Sequence, residues 1–122
     1  MNKNTILIVE DDKYMAKLVH FILKKNFDGE ILIAENGEIA LRTCETVNPD
    51  LIFMDIMMPV MDGITSIKKL RSQGFKNPII ALSAYGDIQK TTVYASGANN
   101  VIAKPASFQQ ILDQLEYMNV PN

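Results

Sequence analysis

The stretch that decides the fold is Leu-Ile-Phe-Met at residues 51–54, in which every position is apolar and which Asp55 follows. A short, uninterrupted apolar run is typical of a β-strand that is covered on both faces, as in a parallel sheet. Outward from it, the chain contains four similar runs, and successive runs start 21 to 27 residues apart. This spacing leaves room for one crossover helix between neighbouring strands. The five predicted strands are Thr5–Val9, Glu30–Ala34, Leu51–Met54, Pro78–Leu82 and Asn100–Ala103.

The segments between these runs carry the periodicity of amphipathic helices. In the first segment, Met15, Leu18 and Ile22 lie on one face of a helix. In the last segment, Ser107 precedes the apolar positions and Gln110 follows three residues later, which is the signature of a capping box. Strands that alternate with helices predict an α/β fold with an open, mostly parallel sheet and helices on both faces.

The composition fits one compact domain. The chain has 122 residues, a formal net charge of −2, and 48% hydrophobic and 21% charged residues. This length is common for one domain, so we expect residues 1–122 to form a single domain. The slightly acidic balance argues against a DNA-binding or membrane-binding surface, and the single cysteine, Cys44, excludes an internal disulfide framework. The apolar run Ile6–Val9 is too short for a signal peptide or a membrane span, so we expect a soluble, cytoplasmic protein.

Polar and charged side chains stand at the carboxyl ends of four predicted strands, which is where parallel sheets bind their ligands. Three carboxylates in one place repel each other and require a cation, and an all-oxygen ligand set suits Mg²⁺ or Mn²⁺. Such a cation beside an ammonium group and a hydroxyl group can hold a phosphoryl group. Because Asp55 emerges alone from a fully apolar strand, we expect it to be the phosphoryl acceptor. The other members of this set are Glu10, Asp11, Ser83 and Lys104.

Four motifs, in this order and spacing, resemble the receiver domain of response regulators in two-component signalling. They are Ile-Leu-Ile-Val-Glu-Asp-Asp at 6–12, Met-Asp-Ile-Met-Met-Pro-Val-Met-Asp-Gly at 54–63, Leu-Ser-Ala at 82–84 and Lys-Pro at 104–105. The resemblance implies a doubly wound (βα)5 fold with flavodoxin-like strand order 2-1-3-4-5. It also implies that the chain is a signalling phosphoacceptor rather than a classical enzyme. Such a phosphoacceptor takes a phosphoryl group from a sensor histidine kinase or a histidine phosphotransfer protein and loses it slowly.

The resemblance implies a role for each acidic residue of the set. Asp55 resembles the phosphoacceptor, and Glu10 and Asp11 resemble the acidic pair that holds Mg²⁺ together with Asp55. The backbone carbonyl of Met57 would be a further metal ligand. The side chains of Met57 and Tyr85 resemble a pair that shapes water access to the phosphoryl group, so we expect them to modulate its hydrolysis.

The resemblance also implies a switch. Ser83 resembles the switch hydroxyl, Lys104 resembles the lysine that contacts the phosphoryl group, and Lys104–Pro105 is expected to be a cis peptide. The position three residues before this lysine is usually aromatic in the family, whereas here it is Val101. Switching is then relayed by the fourth helix and the loop after Ser83, or the domain mainly passes its phosphoryl group onward. The output surface is expected on the fourth helix, fifth strand and fifth helix, with exposed side chains at Tyr85, Lys90, Tyr94, Val101, Phe108 and Gln109.

Several alternatives remain open. The chain could be a relay intermediate, a single-domain effector that binds a downstream protein target, or the receiver of a larger protein, and the start at Met1 favours a free-standing protein. A phosphorylation-dependent homodimer could form through the output surface. A haloacid-dehalogenase-type phosphohydrolase would use an aspartate nucleophile as well, but it needs a second aspartate where this chain has Met57. A flavodoxin-like electron carrier would need a phosphate-binding loop after the first strand, where Glu10 and Asp11 would repel phosphate.

Overall fold

The computed structural model describes residues 4–84 and 87–118, with the side chains of these residues except those of 87–89. All neighbouring strands are parallel and lie in the order β2-β1-β3-β4-β5, which confirms the predicted flavodoxin-like α/β fold. Within the described residues, no helix is both long enough and apolar enough to cross a membrane. The elements are β1 Thr5–Val9, α1 Lys13–Lys24, β2 Glu30–Ala34, α2 Gly37–Thr46, β3 Leu51–Asp55, α3 Gly63–Ser72, β4 Ile79–Ser83, α4 Asp87–Ser96, β5 Asn100–Ala103, α5 Phe108–Asp113 and a 3-10 helix, Gln114–Met118.

Each face of the sheet buries its own apolar cluster, because successive side chains of a strand point to opposite faces. Leu7 and Ile52 belong to the cluster that α2, α3 and α4 cover. Ile8 and Phe53 belong to the cluster that α1 and α5 cover. Every residue of β3 and of β4 is buried. The uninterrupted apolar runs of the sequence therefore reflect strands that are covered on both faces.

The structure moves the ends of two predicted strands by one residue. β3 ends at Asp55 rather than at Met54, because Asp55 still pairs with β4 in the parallel register. β4 begins one residue after Pro78, which has no amide hydrogen to donate, and ends at Ser83. The backbone amide of Lys104 donates to the carbonyl of Ser83 at 2.8 Å. Two of the predicted site residues are therefore the last residues of their strands, held in place by the hydrogen bonds of the sheet.

Polar caps define where the helices begin. Asp12, Asn36 and Asp62 precede α1, α2 and α3, and each side chain accepts hydrogen bonds from backbone amides of the first turn. Ser107 and Gln110 form the predicted capping box at the start of α5. Since these helices begin at the carboxyl edge of the sheet, their caps also fix the loops that surround the predicted site.

Arg71 joins three segments at the opposite edge of the sheet. Its guanidinium group donates to the backbone carbonyls of Gly97 at 3.0 Å, Phe75 at 2.9 Å and Asn77 at 2.8 Å. It also donates to the side-chain Oδ1 of Asn99 at 2.8 Å. These bonds tie the end of α3 to the strand β4 that follows it and to the turn between α4 and β5.

Candidate functional site

The predicted site residues meet at the carboxyl edge of the sheet. Glu10 and Asp11 directly follow β1, Asp55 and Ser83 end β3 and β4, and Lys104 directly follows β5. The parallel register of these strands brings their ends to one edge. Residues that are up to 94 positions apart in the sequence thereby come into direct contact.

The ammonium group of Lys104 bridges two buried carboxylates. Its Nζ lies 2.9 Å from Oδ1 of Asp55 and 3.1 Å from Oε1 of Glu10, and each of these acidic residues is only 2% exposed. Backbone amides add further hydrogen bonds: the amide of Asp12 donates to Oε2 of Glu10 at 3.2 Å, and the amide of Met57 donates to Oδ1 of Asp55 at 3.3 Å. One cation and the adjoining backbone amides compensate the charge of these two carboxylates in part.

The electrostatics of the three groups are linked. Burial, followed by the hydrogen bond and negative charge of Asp55, raises the pKa of Glu10 from 4.5 to about 7, although Lys104 acts in the opposite direction. For Lys104, burial acts to lower the pKa, but the hydrogen bonds and charges of Asp55 and Glu10 outweigh it, so that the pKa is raised. Lys104 therefore stays charged at neutral pH, whereas Glu10 exchanges its proton close to neutral pH.

Three carboxylates form a group that can hold a metal ion. Oxygen atoms of Glu10, Asp11 and Asp55 lie within 4.8 Å of one another. Glu10 and Asp55 are buried and Asp11 is exposed, so the group is open to water on one side. A hard cation that keeps part of its hydration shell and takes oxygen ligands fits this arrangement. The donor set therefore fits Mg²⁺.

The loop between β3 and α3 approaches Asp55 through two unusual backbone positions. A Cβ atom at Gly63 would lie 2.3 Å from the carbonyl oxygen of Asp55 and 2.8 Å from Cα of Ile56, so no side chain fits there. In the same loop, Val60 has a φ of 71°, in the left-handed region that β-branched residues rarely adopt. From the sequence, Gly63 is recognised only as the last residue of the motif at 54–63. The sequence signal for the close approach of this backbone to Asp55 is a glycine at the first position of a helix, because glycine is a poor helix former.

Five of the residues predicted for the output surface lie on α4, β5 and α5, but they are not all exposed. Tyr94 is 44% and Phe108 48% exposed, Gln109 is also exposed, and Lys90 is half-buried. The prediction that Val101 is exposed is wrong, because only 8% of it is accessible. Strand alternation turns its side chain toward the apolar cluster beneath α4. The exposed part of this surface is therefore built from the two helices.

A chain of hydrogen bonds that the sequence did not reveal joins α4 to the 3-10 helix that follows α5. The hydroxyl of Tyr94 donates to Oδ1 of Asn100 at 3.1 Å, and Nδ2 of Asn100 donates to Oε1 of Gln114 at 2.9 Å. Gln114 is buried, although it is polar. A polar residue on the buried side of the last helix is the sequence signal that could have indicated this contact.

The remaining predictions concern three positions. The peptide bond between Lys104 and Pro105 is cis, as predicted. The side chain of Met57 is 52% exposed beside Asp55, which leaves its predicted effect on hydrolysis open to test. Tyr85, the second residue predicted to affect hydrolysis and also predicted on the output surface, lies outside the described residues.

Similar proteins share this sequence pattern and this fold. Residues 6–116 match the response regulator receiver domain family. The chain is 38% identical over 112 residues to the chemotaxis protein CheY of Bacillus subtilis (strain 168), and the match covers 90% of this chain and 92% of that protein. It is 35% identical over 122 residues to a protein-glutamate methylesterase/protein-glutamine glutaminase of Trichodesmium erythraeum (strain IMS101), but spans only 35% of that protein. In two further curated relatives it spans 46% and 31% of the length.

A solved structure extends the comparison to the site. The receiver domain of the sensor histidine kinase PA1611 from Pseudomonas aeruginosa PAO1, solved with a magnesium ion coordinated in its active site cleft, superimposes with a TM-score of 0.86. It is 25% identical, and the match covers 98% of this chain and 100% of that chain. These similarities favour a receiver over the phosphohydrolase and the electron carrier. The chain belongs to the response regulator receiver domain family of two-component signalling, and the acidic cluster of Glu10, Asp11 and Asp55 lies at its phosphorylation site.

Proposed function

We propose that Asp55 of this chain accepts a phosphoryl group from a phosphohistidine of a sensor histidine kinase or a histidine phosphotransfer protein. The observation that carries the proposal is the Lys104 ammonium group placed 2.9 Å from Asp55 Oδ1, next to two further carboxylates that can hold a divalent cation. A carboxylate oxygen of Asp55 attacks the phosphorus atom and the bond from phosphorus to the histidine nitrogen breaks. The imidazole keeps that electron pair and takes up a proton.

The residues around Asp55 have separate tasks in this reaction. Glu10, Asp11 and Asp55 would hold Mg²⁺ together with the backbone carbonyl of Met57, and Mn²⁺ could take its place. When bound, the cation neutralises oxygens of the transferring group. Lys104 is charged and already within hydrogen-bond distance of Asp55, so it can contact an oxygen of the same group. The magnesium ion in the active site cleft of the Pseudomonas receiver supports a magnesium site in this fold.

Ser83 would report the phosphoryl group to the output surface. Its position at the end of β4, beside β5, supports the role of a hydroxyl that donates to a phosphoryl oxygen. A large population shift requires about 5 kcal/mol of preference for one of two conformations. Because Val101 offers no aromatic ring, we propose that α4 carries this change and transmits it to the 3-10 helix after α5 through the hydrogen bonds of Tyr94 and Asn100.

The partners would use two different surfaces. The first turns of α1 lie next to Asp11 and present Tyr14 at 86% and Leu18 at 50% exposure, so we propose that the phosphohistidine donor docks there. A downstream protein, or a second phosphorylated copy of the chain, would bind the exposed face of α4, β5 and α5 around Phe108. The proposal places these reactions in the cytoplasm, with neither DNA nor a membrane as a partner.

The decisive experiment is phosphorylation by acetyl phosphate with Mg²⁺, read by intact mass. We expect a mass increase of one phosphoryl group that disappears in Asp55→Asn and after chelation of the metal. The matched control is Asp12→Asn, because asparagine caps a helix as well as aspartate does and Asp12 lies two residues from Glu10. A wild-type chain that binds Mg²⁺ but gives no adduct, or an equal adduct in Asp55→Asn, contradicts the proposal.

A further inference from the structure

A shallow apolar groove lies between α1 and β2, away from the phosphorylation site. It has a volume of about 520 Å³ and is lined by Lys17, His20, Phe21, Lys24 and Ile33. Phe21 and Ile33 are 54% and 48% exposed, although both are large apolar residues. None of the five lining residues takes part in the site at the carboxyl edge of the sheet.

The floor of the groove is a free sheet edge. β2 pairs only with β1 among the described strands. Within β2, the amide of Glu30 and the carbonyl of Ala34 bond toward β1. Hydrogen-bonding groups alternate along a strand, so the amides and carbonyls of Ile31 and Ile33 face outward. Both residues are apolar, and no charged side chain of the strand protects this edge on the face that carries α1.

The charges around the groove are positive. Lys17 and Lys24 line it, and Nζ of Lys25 lies 4.7 Å from the centre of the Phe21 ring. Glu30, the acidic residue of β2, points to the opposite face of the sheet from Ile31, because the side chains of a strand alternate. An occupant with negative charges is therefore favoured, whereas a second copy of this chain, docked by the same groove, would bring the lysines together.

We propose that this groove binds an extended segment of a partner protein in which an apolar residue has acidic residues two positions before and two positions after it, so that all three side chains point to the same face of the strand. The segment would add to β2 as an edge strand, with backbone hydrogen bonds to Ile31 and Ile33. An apolar side chain would lie between Phe21 and Ile33, and acidic side chains would face Lys17 and Lys24. The proposal is independent of phosphoryl transfer, because it involves no residue of the phosphorylation site.

The test uses the full chain and a short, blocked synthetic peptide with the core Glu-Thr-Val-Thr-Glu, titrated by amide NMR without a phosphoryl donor. We expect chemical-shift changes centred on residues 31–33 and on α1 around Phe21. Reversing two exposed charges with Lys17→Glu and Lys24→Glu should weaken binding about tenfold, and Ile33→Thr should weaken it while it keeps a β-branched residue. The double variant Lys68→Glu and Lys69→Glu, on the exposed side of α3, is the matched control and should bind like the wild type.

Two comparison peptides separate the parts of the proposal. A peptide with lysine in place of glutamate should not bind. A peptide that is methylated at the backbone amides of the edge that would pair with β2 should also lose binding, because it can no longer dock as a strand. The proposal is overturned by an absence of shifts in the groove at about 1 mM peptide, a concentration that detects weak binding. It is also overturned by equal binding of the lysine peptide, by shifts confined to another surface, or by a dimer of the free chain that Ile33→Thr dissolves.

Discussion

The buried Glu10 predicts an unusual pH dependence of stability in the metal-free domain. Its carboxyl group is 2% exposed and lies against Asp55 and Lys104. Replacing it by Glu10→Gln keeps a hydrogen-bonding side chain of the same size but removes the negative charge. The variant therefore resembles the protonated wild type at every pH, and a comparison of the two chains isolates the cost of ionising Glu10 inside the protein.

The sign and size of this effect follow from the pKa. Burial and Asp55 raise the pKa of Glu10 from 4.5 to about 7, so the folded chain holds this proton more tightly than the unfolded chain. Its contribution to stability is fully present below pH 4.5 and is lost as the pH rises to about 7. The gap between the two pKa values corresponds to about 3 kcal/mol at most. The variant should thus gain up to this amount relative to the wild type between pH 4.5 and pH 8.

Urea unfolding followed by circular dichroism, at several pH values with a chelator present, measures the difference in unfolding free energy. Glu35→Gln is the control, since it removes an exposed carboxylate beyond the end of the neighbouring strand. Adding Mg²⁺ should stabilise the wild type more than Glu10→Gln, because a cation favours the ionised carboxylate. If the stability difference between wild type and variant is the same at pH 5 and pH 8, the reasoning about Glu10 is refuted.

Three further predictions concern stability. Gly63→Ala should lower the unfolding free energy by about 2 kcal/mol or more and also reduce phosphorylation by acetyl phosphate, because its Cβ would meet the carbonyl of Asp55; normal values for both would contradict this contact. Arg71→Lys should cost about 2 to 4 kcal/mol in urea unfolding, since lysine cannot reproduce four hydrogen bonds, whereas the control Arg42→Lys in an exposed ion pair should cost less than about 0.5 kcal/mol. Val60→Gly should raise the unfolding free energy by up to about 1 kcal/mol, and with it the melting temperature, because glycine adopts this left-handed backbone position without strain. A lowered melting temperature would argue against strain at this position.

The fold could be predicted almost completely from the sequence, because hydrophobic burial determines most of it. Three of the five strands have the predicted bounds, and the uninterrupted apolar runs correspond to the fully buried β3 and β4. Three strand ends differ from the prediction by one residue, at Asp55, Pro78 and Ser83. The extensions to Asp55 and Ser83 depend on where the neighbouring strand stops, and that information is not local in the sequence.

The predicted site residues come together, whereas the surface around the site was predicted less well. Glu10, Asp55 and Lys104 are in contact, because a parallel sheet brings polar strand ends to one edge. The predicted exposure of Val101 is wrong because both faces of β5 are covered: Val101 belongs to the apolar cluster beneath α4, and Ile102 to the cluster on the opposite face. The contact between Gly63 and Asp55 depends on how closely two backbones approach, which no periodicity of side chains encodes.

The strand order also sets how many proteins the domain can hold at one time. β2 and β5 are the two outer strands, and β3 is the middle one. Four spacings of about 4.8 Å separate the outer strands by about 19 Å. A protein bound along β2 and another bound beside β5 would therefore not compete for space, and the end of β3 between them would stay accessible to a phosphodonor. If both proposed surfaces are used, a chain of 122 residues would join two proteins while Asp55 is phosphorylated and dephosphorylated.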